Sequence, residues 1–145
     1  MAGTSRVYPA TLQKWLNEST NPCELDTGTF EAMLVDTDYV FADAHDFVND
    51  VSGNEITVTG DGRPNITVTQ ASLTADTYIF DGNDVSMDTV PTAQVIGGVL
   101  VYKYNTGDTD SPVISYNACT NKATDGGDVD VTWGGNGIFR AICTD

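Results

Sequence analysis

The run TAQVIGGVLVYKY, from Thr92 to Tyr104, constrains this chain more than any other stretch. Its apolar residues fall at consecutive positions, so a strand here carries apolar side chains on both faces. Such a strand must be central in a sheet and must be covered twice. Gly97 and Gly98 interrupt it, and paired glycines inside a strand pattern predict a bulge or a sharp bend.

From Phe30 onward the neighbouring segments have a period of two. FEAMLV reads as a buried or half-buried strand. Ile56 and Val58 alternate with Thr57 and Thr59, and Ile66 and Val68 with Thr67 and Thr69. This predicts two strands of one meander, separated by the turn residues Gly60-Asp61-Gly62-Arg63-Pro64. Ser72 to Phe80 reads as one strand with Tyr78 and Phe80 on one face, ended by the DGND turn at Asp81 to Asp84. With VISYNA, VDVTW and IFRAIC the count reaches about eight strands rich in Thr, Val and Ile. The expected fold is all-β, a single antiparallel β-sandwich or jelly roll.

The first 28 residues differ. TLQKWLNES places Leu12, Trp15 and Leu16 at helical spacing, and Asn21-Pro22 ends the pattern. This predicts a short helix in an N-terminal arm over residues 1–28, followed by a β domain over 29–145. A length of 145 residues suits one such domain. Either the arm folds back on that domain or it docks on a neighbour through Leu12, Trp15 and Leu16. In the acidic segment DTDYVFADAHDFVND, Tyr39, Phe41 and Phe47 read either as loop side chains folded onto the core or as interface anchors.

Charge excludes whole classes of partner. Six basic residues stand against 21 acidic ones, for a net charge of -15. Such a surface repels nucleic-acid backbones and anionic membranes, so neither is an expected partner. Between Lys14 and Lys103 the only cation is Arg63. The N-terminal sequence has no apolar signal-peptide core, so synthesis in the cytoplasm is expected.

The residues that could carry chemistry form no known constellation. His45, the one histidine, lies between acidic neighbours with no serine or cysteine motif beside it. The turns Asp36-Thr37-Asp38, Asp81 to Asp84, Asp108 to Asp110 and Asp125 to Asp130 offer oxygen ligands. None has the spacing of a calcium-binding helix–loop–helix, and Asp and Asn are ordinary turn formers. No enzyme activity, cofactor or metal is expected.

The order of AMLVDTDYVF, HDFVNDVSGNEITVTG, YIFDGNDVSM, TAQVIGGVLVYKY and SPVISY along the chain resembles that in a family of small tailed-bacteriophage virion proteins. A strand, an aromatic and acidic loop, a second strand, a DV step and a long strand follow one another as they do there. Met87 stands where the family usually has tryptophan, and the turn after Gly60 departs from its pattern. The resemblance implies a β-sandwich without catalysis, at work as a capsid decoration (cement) protein on the virion surface. Its partner would be the major capsid protein, and a homodimer is one form such a protein could take. The alternative it implies is a head-fibre, tail-fibre or neck component, trimeric if fibre-like, that binds another virion protein or a host surface glycan.

Cys23, Cys119 and Cys143 are widely spaced and form no CxxC pair. That spacing favours reduced, partly buried thiols over a tertiary bridge such as Cys119 with Cys143. Alkylation of the denatured, unreduced protein should therefore add three labels. Addition of a single label would reveal a disulfide.

Overall fold

Glycine at positions 97 and 98 determines how the central strand is built, and with it both faces of the main sheet. The computed structural model of the protein describes residues 5–9, 24–74 and 77–142. Among these residues the strands are β1 (Ser5–Val7), β2 (Thr29–Asp36), β3 (Asn65–Ile66), β4 (Val68–Thr74), β5 (Thr77–Gly82), β6 (Val85–Met87), β7 (Val95–Tyr104), β8 (Val113–Ala123), β9 (Val129–Val131) and β10 (Phe139–Ile142). The described residues are mostly β and their strand pairings are antiparallel. A five-stranded sheet has the order β1-β8-β7-β2-β3, a three-stranded sheet the order β10-β5-β4, and β6 pairs with β9.

The central strand is β7, buried from Ile96 to Tyr102 as its apolar run requires. Opposite it, Val35 pairs with Gly98 and Asp36 with Ile96, so Gly97 is the extra residue of a bulge. The bulge resets the alternation. Ile96, Val99 and Val101 all face one apolar cluster, although strict period two would place Ile96 and Val99 on opposite faces. A Cβ on Gly97 would collide with the carbonyl oxygen of Asp36, and one on Gly98 would lie 2.8 Å from that of Asn117.

One face of the main sheet contributes Phe30, Leu34, Val101 and Ile114 to a cluster shared with Phe80, Met87, Val131 and Phe139 of the smaller sheets. Phe30 and Phe80 meet edge to face across it, with ring centroids 5.3 Å apart. The other face presents Met33, Val35, Leu100, Tyr102 and Val113. Irregular chain covers that face: Tyr8, Tyr39, Val48 and Val51 pack on it, Val48 opening a short 3-10 turn at Val48–Asp50 and Val51 joining it to a second at Ser52–Asn54. Backbone bonds hold this cover at both ends, from Ile56 N–H to Leu34 (2.9 Å) and from Val48 N–H to Ser111 (3.0 Å).

Arg63 fastens the same cover. Its Nε donates to Glu55 Oε1 (2.7 Å) and its Nη1 to Asp108 Oδ1 (2.6 Å). Its Nη2 donates to the second oxygen of each carboxylate. The fork thus grips two carboxylates on separate loops, and the guanidinium lies 5.8 Å from the Tyr102 ring centroid. These charge-assisted bonds hold the guanidinium charged well beyond its ordinary range.

Several expectations are corrected. Ile56 to Thr59 keeps its alternation but forms no strand; beyond an isolated bridge between Val35 and Glu55, the edge of β2 is taken by β3, with Phe30 opposite Ile66. The second ITVT splits between sheets, Ile66 in β3 and Val68 in β4. Ser72 to Phe80 is the end of one strand and the start of its hairpin partner, with Thr74 opposite Thr77. Val85–Met87, read as sequence after a turn, is a strand with Val85 and Met87 buried. Within the expected arm, Ser5–Val7 forms the edge of the main sheet and Tyr8 is fully buried. The helix expected around Leu12, Trp15 and Leu16 lies outside the described residues.

Gly97→Ala should lower stability by about 2–3 kcal/mol, because the collision is with backbone. Gly53→Ala, where an added Cβ meets nothing within 4 Å, should stay within about 1 kcal/mol. Urea midpoints check both. Arg63→Ala should cost about 1–3 kcal/mol, less than a fully buried pair because all three side chains are partly exposed, and Arg63→Lys should recover only part of it.

Candidate docking surface

The aromatic residues of the acidic segment converge on the covered face of the main sheet. Residues 36–39 turn because Asp36 Oδ1 accepts from the backbone N–H of Asp38 (3.0 Å) and Tyr39 (3.1 Å) and from Asn54 Nδ2 (3.2 Å). Tyr39 is thereby pointed inward and buried, its ring 5.0 Å from that of Tyr116 on β8 in an edge contact. Its hydroxyl bonds that of Tyr8 and reaches His45 Nδ1 at 3.1 Å.

Phe41 closes the group from outside. It is half-buried, with its ring 4.7 Å from Tyr8 and 6.3 Å from Tyr116. The Arg6 guanidinium sits 5.3 Å from its centroid. Val40 beside it is 76% exposed, the most exposed large apolar side chain among the described residues. The surface is therefore an aromatic bed closed by Phe41, with Arg6 of β1 against its ring and the exposed Val40 next to it in the acidic loop. Rigid aromatic anchors with a polar surround are what protein interfaces use.

Of the residues expected to touch a partner, Phe41 joins this surface. Phe47 lies further along the loop, half-buried, where its backbone bridges Pro112. Leu12, Trp15 and Leu16 lie outside the described residues. The reading of Tyr39 as a loop side chain folded onto the core holds, while Phe41 is divided between core and solvent. Tyr8, Arg6 and Tyr116 were not singled out in the sequence. Arg6 and Tyr8 have as their signal the alternation Arg6-Val7-Tyr8 before Pro9, too short to read without the partner strand, while Tyr116 lies in the VISYNA strand without a mark of its aromatic partners.

His45 is hydrogen-bonded through its ring to a phenol, and Tyr39 and Tyr8 extend that contact inward. The acidic turns are engaged by backbone N–H groups, mostly of the same turn. Asp110 Oδ1 accepts from the N–H of Thr106 and Gly107, Asp125 Oδ1 from that of Gly127, and Asp128 Oδ1 from that of Thr89. Among the described residues no group of three or more His, Cys, Asp or Glu is placed to hold a metal ion. Backbone N–H donors from Asp46 and Phe47 hold the Asp50 carboxyl below its ordinary range, and the Thr106 hydroxyl does the same for Asp110.

Burial, and then the bond to Tyr39, push the Tyr8 phenol far above its usual range. Burial and then the Glu31 carboxylate do the same to Tyr102. Unfolded tyrosines ionise near pH ~10, so the stability these two contribute is complete below that pH and is lost as pH rises above it. Absorbance at the tyrosinate band should therefore show both phenols ionising only together with unfolding. Their independent ionisation in a folded chain would contradict the burial described. No family model, curated protein or solved structure matches this chain.

Proposed function

We propose that this chain is a capsid decoration (cement) protein of a tailed bacteriophage, with the β-sandwich of a jelly-roll type. The observation that carries the reading is where the five resembling segments lie. They supply β2, the covering loop, β5 and β6, β7 and the start of β8. Together these are the centre of the main sheet, one cover and part of the other. The likeness thus falls on one connected unit rather than on scattered turns.

The mechanism is adhesion. Phe41, on its bed of Tyr8 and Tyr116, and the exposed Val40 beside it form the contact with the major capsid protein, and the segment with Leu12, Trp15 and Leu16 adds a docking arm. The net charge of -15 favours basic patches on the shell and repels the packaged DNA. A homodimer would place two such surfaces on neighbouring capsid subunits.

Copy number tests the placement. Quantitative mass spectrometry of purified particles should find this chain at a level comparable to the major capsid protein. A handful of copies would indicate the fibre or neck placement, and absence from particles would remove the virion reading altogether. Val40→Asp should weaken shell binding about tenfold in a co-sedimentation assay without changing the melting temperature, since Val40 is solvent-exposed. Unchanged binding would move the contact away from this surface.

A further inference from the structure

A cleft of about 610 Å³ opens at the far edge of the main sheet, between β8 on one side and β9, β10 and the chain joining them on the other. That volume is within the range of small-molecule sites. Buried Val99, Val131 and Phe139 form its floor, and Trp133 lines it half-buried. The indole is fixed from behind: its Nε1 donates to the Asn83 carbonyl (3.0 Å) and its backbone N–H to Asp84 Oδ1 (3.0 Å).

The rim is the informative part. Lys122, Arg140, Asp130 and Asn136 line the cleft and are exposed. The chain has six basic residues. Arg63 is clamped by two carboxylates, Lys103 donates to the Glu24 carbonyl, and Arg6 lies on Phe41. Lys122 and Arg140 have no carboxylate, carbonyl or ring partner among the described residues, and both stand on this one cleft. The described residues lining the cleft thus carry two cations against one carboxylate, Asp130, and neither cation is paired with it; in a chain with this excess of acid, that local surplus of positive charge calls for an anion from outside. Asp130 and Asn136 beside them accept from and donate to hydroxyl groups, and a bare anion or an apolar acid gives these two no donors to pair with. A fixed indole supplies a flat apolar platform.

We propose that this cleft binds an acidic saccharide, with the sugar ring on Trp133, its carboxylate taken by Lys122 and Arg140, and its hydroxyls by Asp130 and Asn136. This inference is independent of where the protein sits on a particle and of the Phe41 surface.

Calorimetric titration of the full chain with trigalacturonic acid tests it. Saturable binding is expected, weakened about tenfold by Lys122→Gln and again by Arg140→Gln, as for loss of one charge-assisted bond each. Both side chains are exposed, so the variants remain folded; Trp133→Ala, which also touches the core, is read only if its melting curve is intact. Neutral maltotriose should bind more weakly than the acidic sugar. The proposal is overturned if trigalacturonic acid gives no saturable heat, or if its affinity survives the double variant. Equal competition by sulfate would reduce the site to a bare anion contact, and tighter binding of a glutamate-rich peptide would make it a peptide groove; either result overturns the saccharide assignment.

Discussion

A strand buried on both faces cannot be the outside of anything, and β7 is such a strand. Each apolar side chain it covers, such as Leu100 or Tyr102, contributes about 1.5–3 kcal/mol only if something excludes water from it. One side solves this with sheets, whose regular spacing suits alternating side chains. On the other side the cover among the described residues is the loop 37–55 together with Tyr8. A loop lacks a ladder, so its order comes from discrete contacts: the Asp36 carboxylate at its start, the two 3-10 turns in its middle, and the Arg63 fork at its end. The candidate docking surface is a by-product of that arrangement, because the covering loop is the layer that faces outward.

What could be read from the sequence follows the same division. Strands whose side chains are decided by burial were legible: FEAMLV, the long run to Tyr104 with its glycine interruption, and VISYNA. The interruption was readable because glycine is the one residue whose missing Cβ has a geometric cause. Segments whose alternation is real but whose hydrogen bonds go elsewhere were not legible. Ile56 is buried and Thr57 exposed, as in a strand, yet β3 competes for the same edge. Pairing is a property of two segments, and a single segment carries no record of its partner. The aromatic cluster fails for the same reason: Tyr8, Tyr39 and Tyr116 come together only once β1, the loop and β8 are assembled.

Charge looks different once the side chains are placed. A count of 21 acidic residues suggests a diffuse negative surface. Many of these carboxylates instead cap their own turns, so the acid content is partly structural. The five described cations are then individually assigned, one to a loop clamp, one to a ring, one to a backbone carbonyl and two to the rim of a cleft. Their scarcity is what gives each position meaning.

The passage from β3 to β4 has a further consequence. Ile66 pairs with Phe30 in the main sheet, and Val68, two residues on, pairs with Gly82 in the smaller one. The backbone between them has no slack to absorb displacement. A slip of one residue in either sheet would turn its apolar side chains to the wrong face, and here it would drag the other sheet out of step as well. The two layers therefore share one register, and force applied to one face is carried to the other by covalent chain rather than by side-chain friction alone.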